Sequence, residues 1–134
     1  MAGLVEFWNT NRPSTLSGII WYRLPTIVDN FNWHWPTLGA IVASRFPRES
    51  LRGEARQIET GLVEINLVND GELDLSSRLV VEVRWPRVGE TRLVAADGLH
   101  GFNSSNTGPS SITFQKQSQP GRIAAGEQQT IGWL

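Results

Sequence analysis

From Leu62 onward, apolar side chains alternate with polar ones in short runs, and a turn signal closes nearly every run. A period of two belongs to a strand with one face buried and one face wet. Leu62 to Val68 puts Val63, Ile65 and Leu67 on one face and Glu64 and Asn66 on the other, ahead of the turn signal Asn69-Asp70-Gly71. Leu79 to Trp85 repeats the pattern: Leu79, Val81, Val83 and Trp85 point one way, Val80, Glu82 and Arg84 the other, and Pro86 ends the run. Thr91 to Ala96 predicts a third strand ended by Asp97-Gly98, and Leu99 to Phe102 a short fourth. Asn103 to Ser110 reads as a long polar loop. Ser111 to Gln117 places Ile112 and Phe114 together, and Pro120-Gly121 turns into a short extended Arg122-Ile123-Ala124. After Gly126-Glu127, the run Gln129 to Leu134 points Ile131 and Trp133 inward. Strands at this spacing predict a mainly β fold, an antiparallel β-sandwich over residues 61–134, with strand order left open because a partly open barrel gives the same pattern.

Residues 1–50 have a different texture. Gly18 to Leu24 is a nearly continuous apolar run stopped by Pro25, which predicts a strand buried on both faces. Asp29-Asn30-Phe31-Asn32 is turn-rich. Trp35-Pro36 then opens a helix to about Arg45 or Phe46, with Leu38, Ile41, Val42 and Arg45 on one face and Pro47 as its stop. The expected organisation is an N-terminal strand-helix segment over 1–50, a charged connector over 51–60 and the sandwich over 61–134.

Composition narrows the function classes. Hydrophobic residues at 40% and charged residues at 19% fit a packed domain rather than an extended disordered chain. The net charge of -1 splits evenly: residues 1–60 carry six Arg against five acids, residues 61–134 six Lys or Arg against eight. No basic patch marks a nucleic-acid partner. No apolar run approaches the roughly 20 residues of a membrane helix, and no basic-then-apolar leader opens the chain, so membrane insertion is not expected. With no cysteine, disulfides and thiolate chemistry are excluded.

Trp21-Tyr22-Arg23-Leu24-Pro25, followed by Asn32-Trp33-His34-Trp35 and a short helix, resembles a bacterial family of unassigned function in which a glycosidase-like α/β barrel precedes a β-domain. On that resemblance, residues 18–46 correspond to the last strand and helix of a barrel and residues 61–134 to the appended sandwich. Val63 to Gly71 and the closing Ala125-Gly126-Glu127 to Ile131-Gly132-Trp133 are similar to immunoglobulin-like accessory domains of bacterial surface enzymes. The resemblance implies a periplasmic or cell-surface location and a preceding domain as partner.

Catalytic and metal constellations are sparse. His34 and His100 lack the i,i+4 pairing of a zinc helix, and each reads as a surface or hydrogen-bonded residue. Asn69 to Asp74 invites a calcium reading, but an EF-hand register puts Val68 and Ser77 at ligand positions, and Asx-type turns are the favoured account. Glu64 and Glu82 lie on outward strand faces with Arg84 and Arg92 as ion-pair partners, which outweighs a glycosidase pair. Gly98-Leu99-His100-Gly101 lacks the serine of a nucleophile elbow, and no phosphate loop is present. Arg45, Arg48, Arg52 and Arg56 recur at three- and four-residue steps, interleaved with Glu49, Glu54 and Glu59, as an internally paired face. No catalytic residue, metal or cofactor is assigned.

The binding candidates are aromatic. Trp21, Trp33 and Trp35 could stack on sugar rings, with Arg23, Asp29 and Asn32 bonding hydroxyls. The competing account packs these tryptophans into a core or an interdomain contact. The favoured reading is a non-catalytic accessory or interaction domain of a larger bacterial protein. The alternatives are a carbohydrate-binding module that takes a polysaccharide, and a fragment of a glycosidase-like enzyme.

Overall fold

The computed structural model describes residues 2–20, 24–26, 33–86, 93–117 and 121–134. Among them, two helices precede nine strands: α1 (Ala2–Thr10), α2 (Trp35–Val42), β1 (Leu51–Glu59), β2 (Leu62–Asn69), β3 (Leu75–Ser77), β4 (Val80–Arg84), β5 (Asp97–Gly98), β6 (Phe102–Gly108), β7 (Ser111–Lys116), β8 (Gly121–Ile123) and β9 (Gln128–Trp133). The strands form a four-stranded sheet ordered β1-β2-β9-β5, a three-stranded sheet ordered β4-β7-β6, and a β3-β8 pair. Every pairing is antiparallel. Ile65 and Leu67 of β2 and Ile131 of β9 meet Phe102 of β6 and Ile112 and Phe114 of β7, with Leu79 and Ile123 completing the core. The chain is thus a mainly β protein whose two layers form an antiparallel β-sandwich.

Alternation read in the sequence carries through where one face is buried. In β4, Val81 and Val83 pack on the core while Val80, Glu82 and Arg84 face water. In β7, Ile112 and Phe114 are buried at 2% and 0% exposure. The last strand departs from this pattern. Ile65 pairs with Gly132 but Asn66 pairs with Thr130, so β9 carries one extra residue at this point. Such a bulge shifts the side-chain parity of the residues beyond it. Ile131 points into the core, Leu134 packs against it, and Trp133, expected inward, lines an outer groove with Ile58, Glu64 and Thr130. Gly132 is required there, because a Cβ would collide with the Phe114 ring and the Asp97 carbonyl.

Several elements differ from the sequence reading. The expected connector 51–60 is β1 and its turn, paired along its length with β2. Its charges sit on a strand that is open on both faces, so no alternation marks it. The expected polar loop from Asn103 is β6, whose mostly polar side chains bury only Phe102 and leave pairing to the backbone. Asp97-Gly98, expected as a turn, is the short β5 against β9. Leu93 and Ala96 touch the core without forming a strand, and residues 91–92 lie outside the described residues. Leu99 to Gly101 is not a strand: the Leu99 N–H donates to the Ile131 carbonyl at 2.8 Å, and the chain then turns, with His100 at φ 52 and Gly101 at φ 78. In the expected first strand, Gly18 to Ile20 are not in a sheet and Ile20 is 94% exposed. Residues 21–23 of that run lie outside the described residues.

Helix α1 gives no clear signal in the sequence because Val5 is buried while Leu4 and Phe7 are exposed. It rests on α2, with Asn9 Nδ2 donating to Ser44 Oγ. Helix α2 starts where Trp35-Pro36 predicts, and it buries Thr37, Leu38, Ala40 and Ile41. Val42, expected on one face with Leu38 and Ile41, is 54% exposed, and the helix ends there rather than at Arg45 or Phe46. No helix among the described residues is long and apolar enough to cross a membrane.

Candidate functional site

The loop from Asn69 to Asp74 is where the helical segment meets the sandwich. Asn69 is fully buried and ties the loop to itself: its Nδ2 donates to the Leu73 and Ile123 carbonyls, and its Oδ1 accepts from the Gly71 N–H. This is an Asx turn. Gly71 has no room for a side chain, since a Cβ would lie 2.6 Å from Ser50 N and 2.8 Å from the Arg48 carbonyl. The chain between Pro47 and Leu51 therefore lies directly on the loop, and the Glu72 N–H donates to the Arg48 carbonyl at 2.7 Å.

Each acid of the loop meets donors from the preceding segment. Arg52 Nε donates to Asp70 Oδ2 at 3.2 Å, and Arg48 Nη2 to the Asp70 carbonyl at 2.9 Å. The Ser50 hydroxyl and Arg52 hold the Asp70 carboxyl below its usual range. Arg45 grips Glu72 through both terminal guanidinium nitrogens, the Arg48 N–H adds a third bond at 3.0 Å, and Thr37 Oγ1 donates to the Glu72 carbonyl. Arg45 above all, with the Arg48 N–H, pulls the Glu72 carboxyl down to about 2.

Asp74 is the most elaborate of the three. His34 Nδ1 lies 2.8 Å from both of its oxygens, Arg122 Nη2 donates to Oδ2 at 2.6 Å, and the Ala125 N–H donates to Oδ1 at 2.9 Å. Partial burial pushes this carboxyl up, but the Ala125 N–H, Arg122 and His34 outweigh it and leave it below its usual value. A carboxylate facing Nδ1 places an imidazole proton there. His34 and Trp35 line a groove of about 400 Å³ against the Ala124 to Glu127 turn. The groove offers an indole face, an imidazole and a carboxylate, Glu127, whose Oε2 already accepts from the Ala124 N–H at 2.7 Å.

Of the aromatic candidates, Trp33 and Trp35 are 39% and 54% exposed. They do not share a platform. Trp35 lines the groove beside His34, whereas Trp33 lines a separate groove with Ile41, Phe46 and Leu73. Trp21, Arg23, Asp29 and Asn32 lie outside the described residues. Glu64 and Glu82 sit on the outer faces of opposite sheets, so they do not flank one cleft. Glu82 pairs with Arg84 at 2.8 Å, and Glu64 Oε1 accepts from Asn66 Nδ2 at 2.8 Å. Among the described residues, no three His, Asp or Glu side chains are arranged to hold a metal ion. The sequence does not single out Glu72, Asp74 or Arg122, since the spaced acids at 70, 72 and 74 read there as a turn or a loose cation loop. The signal that could find them is the matching run of bases at 34, 45, 48 and 52.

A protein-family profile matches residues 52–134, from the start of β1 through β9. Its description is a domain of unknown function, DUF8456. The chain belongs to this family. The DUF8456 match covers the sandwich and takes in most of the strand expected as a connector, while residues 18–46, expected as a barrel end, lie outside it, and no comparison shows a barrel. No curated protein and no solved structure matches the chain.

Proposed function

We propose that this DUF8456 chain is a non-catalytic interaction domain, in which residues 3–46 present an apolar face to a preceding domain of a longer bacterial protein. One observation carries the reading. Of the large apolar side chains exposed among the described residues, nine lie between Leu4 and Phe46 and five in the longer stretch after it. Phe7, Leu24, Trp35, Val42 and Phe46 are each more than half exposed. Exposed apolar side chains concentrated in one segment of the chain support a contact with another protein. The clamp onto Asp70, Glu72 and Asp74 supports it, because it would fix that face relative to the sandwich. Hydrogen exchange on α1 and α2 tests the idea, comparing the isolated chain with the full native product. Protection gained only in the full product supports docking. Equal protection in both removes the preceding domain from the account.

The exposure of Trp35 beside His34 and Glu127 favours a second reading, a carbohydrate contact made by one indole. Trp35→Ala should then abolish a saturable fluorescence response to soluble polysaccharides, while Trp33→Ala should leave it intact. A response unaffected by Trp35→Ala, or none in the unaltered chain, ends this reading.

A further inference from the structure

Strand β1 is the outer strand of the four-stranded sheet and pairs with β2 along one side. Its register sets Leu51, Gly53, Ala55 and Gln57 opposite Asn69, Leu67, Ile65 and Val63, on the face that β2 turns to the core. All four are exposed, so the second layer stops short of them. The opposite face carries Arg52, Glu54 and Arg56. Pairing is regular from Leu51 to Gln57 and shifts only between Gln57 and Glu59. Sheet edges are commonly blunted by like-charged side chains, proline, bulges or a covering element. This stretch has no proline, its three charges alternate in sign, and a Cβ at Gly53 would meet nothing within 4 Å.

We propose that β1 pairs antiparallel with β1 of a second copy of this chain, about a two-fold axis at Ala55, so that two four-stranded sheets become one. Charge selects the occupant and the register. An axis at Ala55 puts Glu54 opposite the partner's Arg56, and by symmetry Arg56 opposite the partner's Glu54. An axis one residue earlier would set Glu54 against itself and Arg52 against Arg56. Arg56 makes no ion pair among the described residues, whereas Arg52 already holds both Glu54 and Asp70. The unused cation therefore sits where the second copy brings a carboxylate. The contact is isologous and closes on itself. It is independent of the apolar face on residues 3–46.

Sedimentation equilibrium on the full chain and on charge variants tests the pairing. The unaltered chain should dimerise. Glu54→Arg, which sets like charges against each other at both ends, should weaken the dimer about tenfold, and the double change Glu54→Arg with Arg56→Glu should bring it back to within about threefold. Facing residues of paired strands have Cα atoms about 4.5–5.5 Å apart, within the reach of a disulfide. The chain has no cysteine, so Ala55→Cys should cross-link two copies under mild oxidation while Gly53→Cys does not. A monomer at every concentration overturns the proposal. So does a dimer that ignores Glu54→Arg, or one that Phe7→Ser with Phe46→Ser abolishes while the charge variants leave it unchanged.

Discussion

His34 Nδ1 lies 2.8 Å from both carboxylate oxygens of Asp74, 40 residues further along the chain. The pair fastens the entry of α2 to the loop after β2, and Arg122 of β8 completes it from the sandwich side. Three parts of the chain thus share one anion.

Asp74→Asn keeps the shape of this anchor and removes its charge. It takes the charge-assisted bonds from His34 and Arg122 and weakens the bond from the Ala125 N–H. The expected cost is about 1–3 kcal/mol of unfolding free energy in a urea titration. A change below about 0.5 kcal/mol would place the anchor among ordinary surface contacts.

Acid should release the helical segment before the sandwich. The folded state holds Glu72 at about 2, against an ordinary value of 4.5. A carboxyl depressed in this way stabilises the fold above its unfolded pKa, and that contribution is lost as pH falls through the folded value. Between about pH 4.5 and pH 2, the amides of Ala43 and Arg45 should lose protection while that of Phe114 keeps it. Glu72→Gln should shrink this pH step to the part carried by Asp70 and Asp74, and raised salt should blunt it in the unaltered chain. Loss of all three amides together would show that the segment and sandwich unfold as one unit.

Gly132→Ala tests the bulge in β9. The added methyl meets the Phe114 ring and the Asp97 carbonyl, neither of which can give way cheaply. Overpacking of this kind costs about 1–3 kcal/mol. Phe114→Leu should recover only part of the loss, since the backbone carbonyl remains. Thermal unfolding of the two variants and their combination measures this.

Asn69→Ala strips a fully buried side chain that satisfies two carbonyls and one N–H. The carbonyls of Leu73 and Ile123 lose a donor each, and the expected cost is about 1–3 kcal/mol. The same variant should raise hydrogen exchange at Glu72, whose N–H bond to the Arg48 carbonyl depends on the loop shape. Unchanged exchange there would show that the Arg48 contact holds the loop by itself.

Strands with one dry face are legible in the sequence. Ile65 and Leu67, Val81 and Val83, and Ile112 and Phe114 each announce a core face by spacing alone. Strand β1 is not legible, because with both faces open its sequence records charge rather than burial. Strand β6 is hidden for a related reason: backbone pairing with β7 holds Asn103 to Asn106, and their side chains contribute little. The anchor at Asp74 joins positions 34, 74 and 122, and a reading based on neighbours along the chain has no access to such a meeting. Simple alternation points Trp133 inward, because a one-residue bulge leaves no trace in composition.

That bulge has a practical consequence. It turns one indole outward beside Glu64, on the same face of the sheet as Glu54 and Arg56, while Ile131 stays in the interior and Leu134 packs against it. With the other five tryptophans replaced, the emission of Trp133 would become a native lamp on the outer surface of the four-stranded sheet. It would report on that surface without any label.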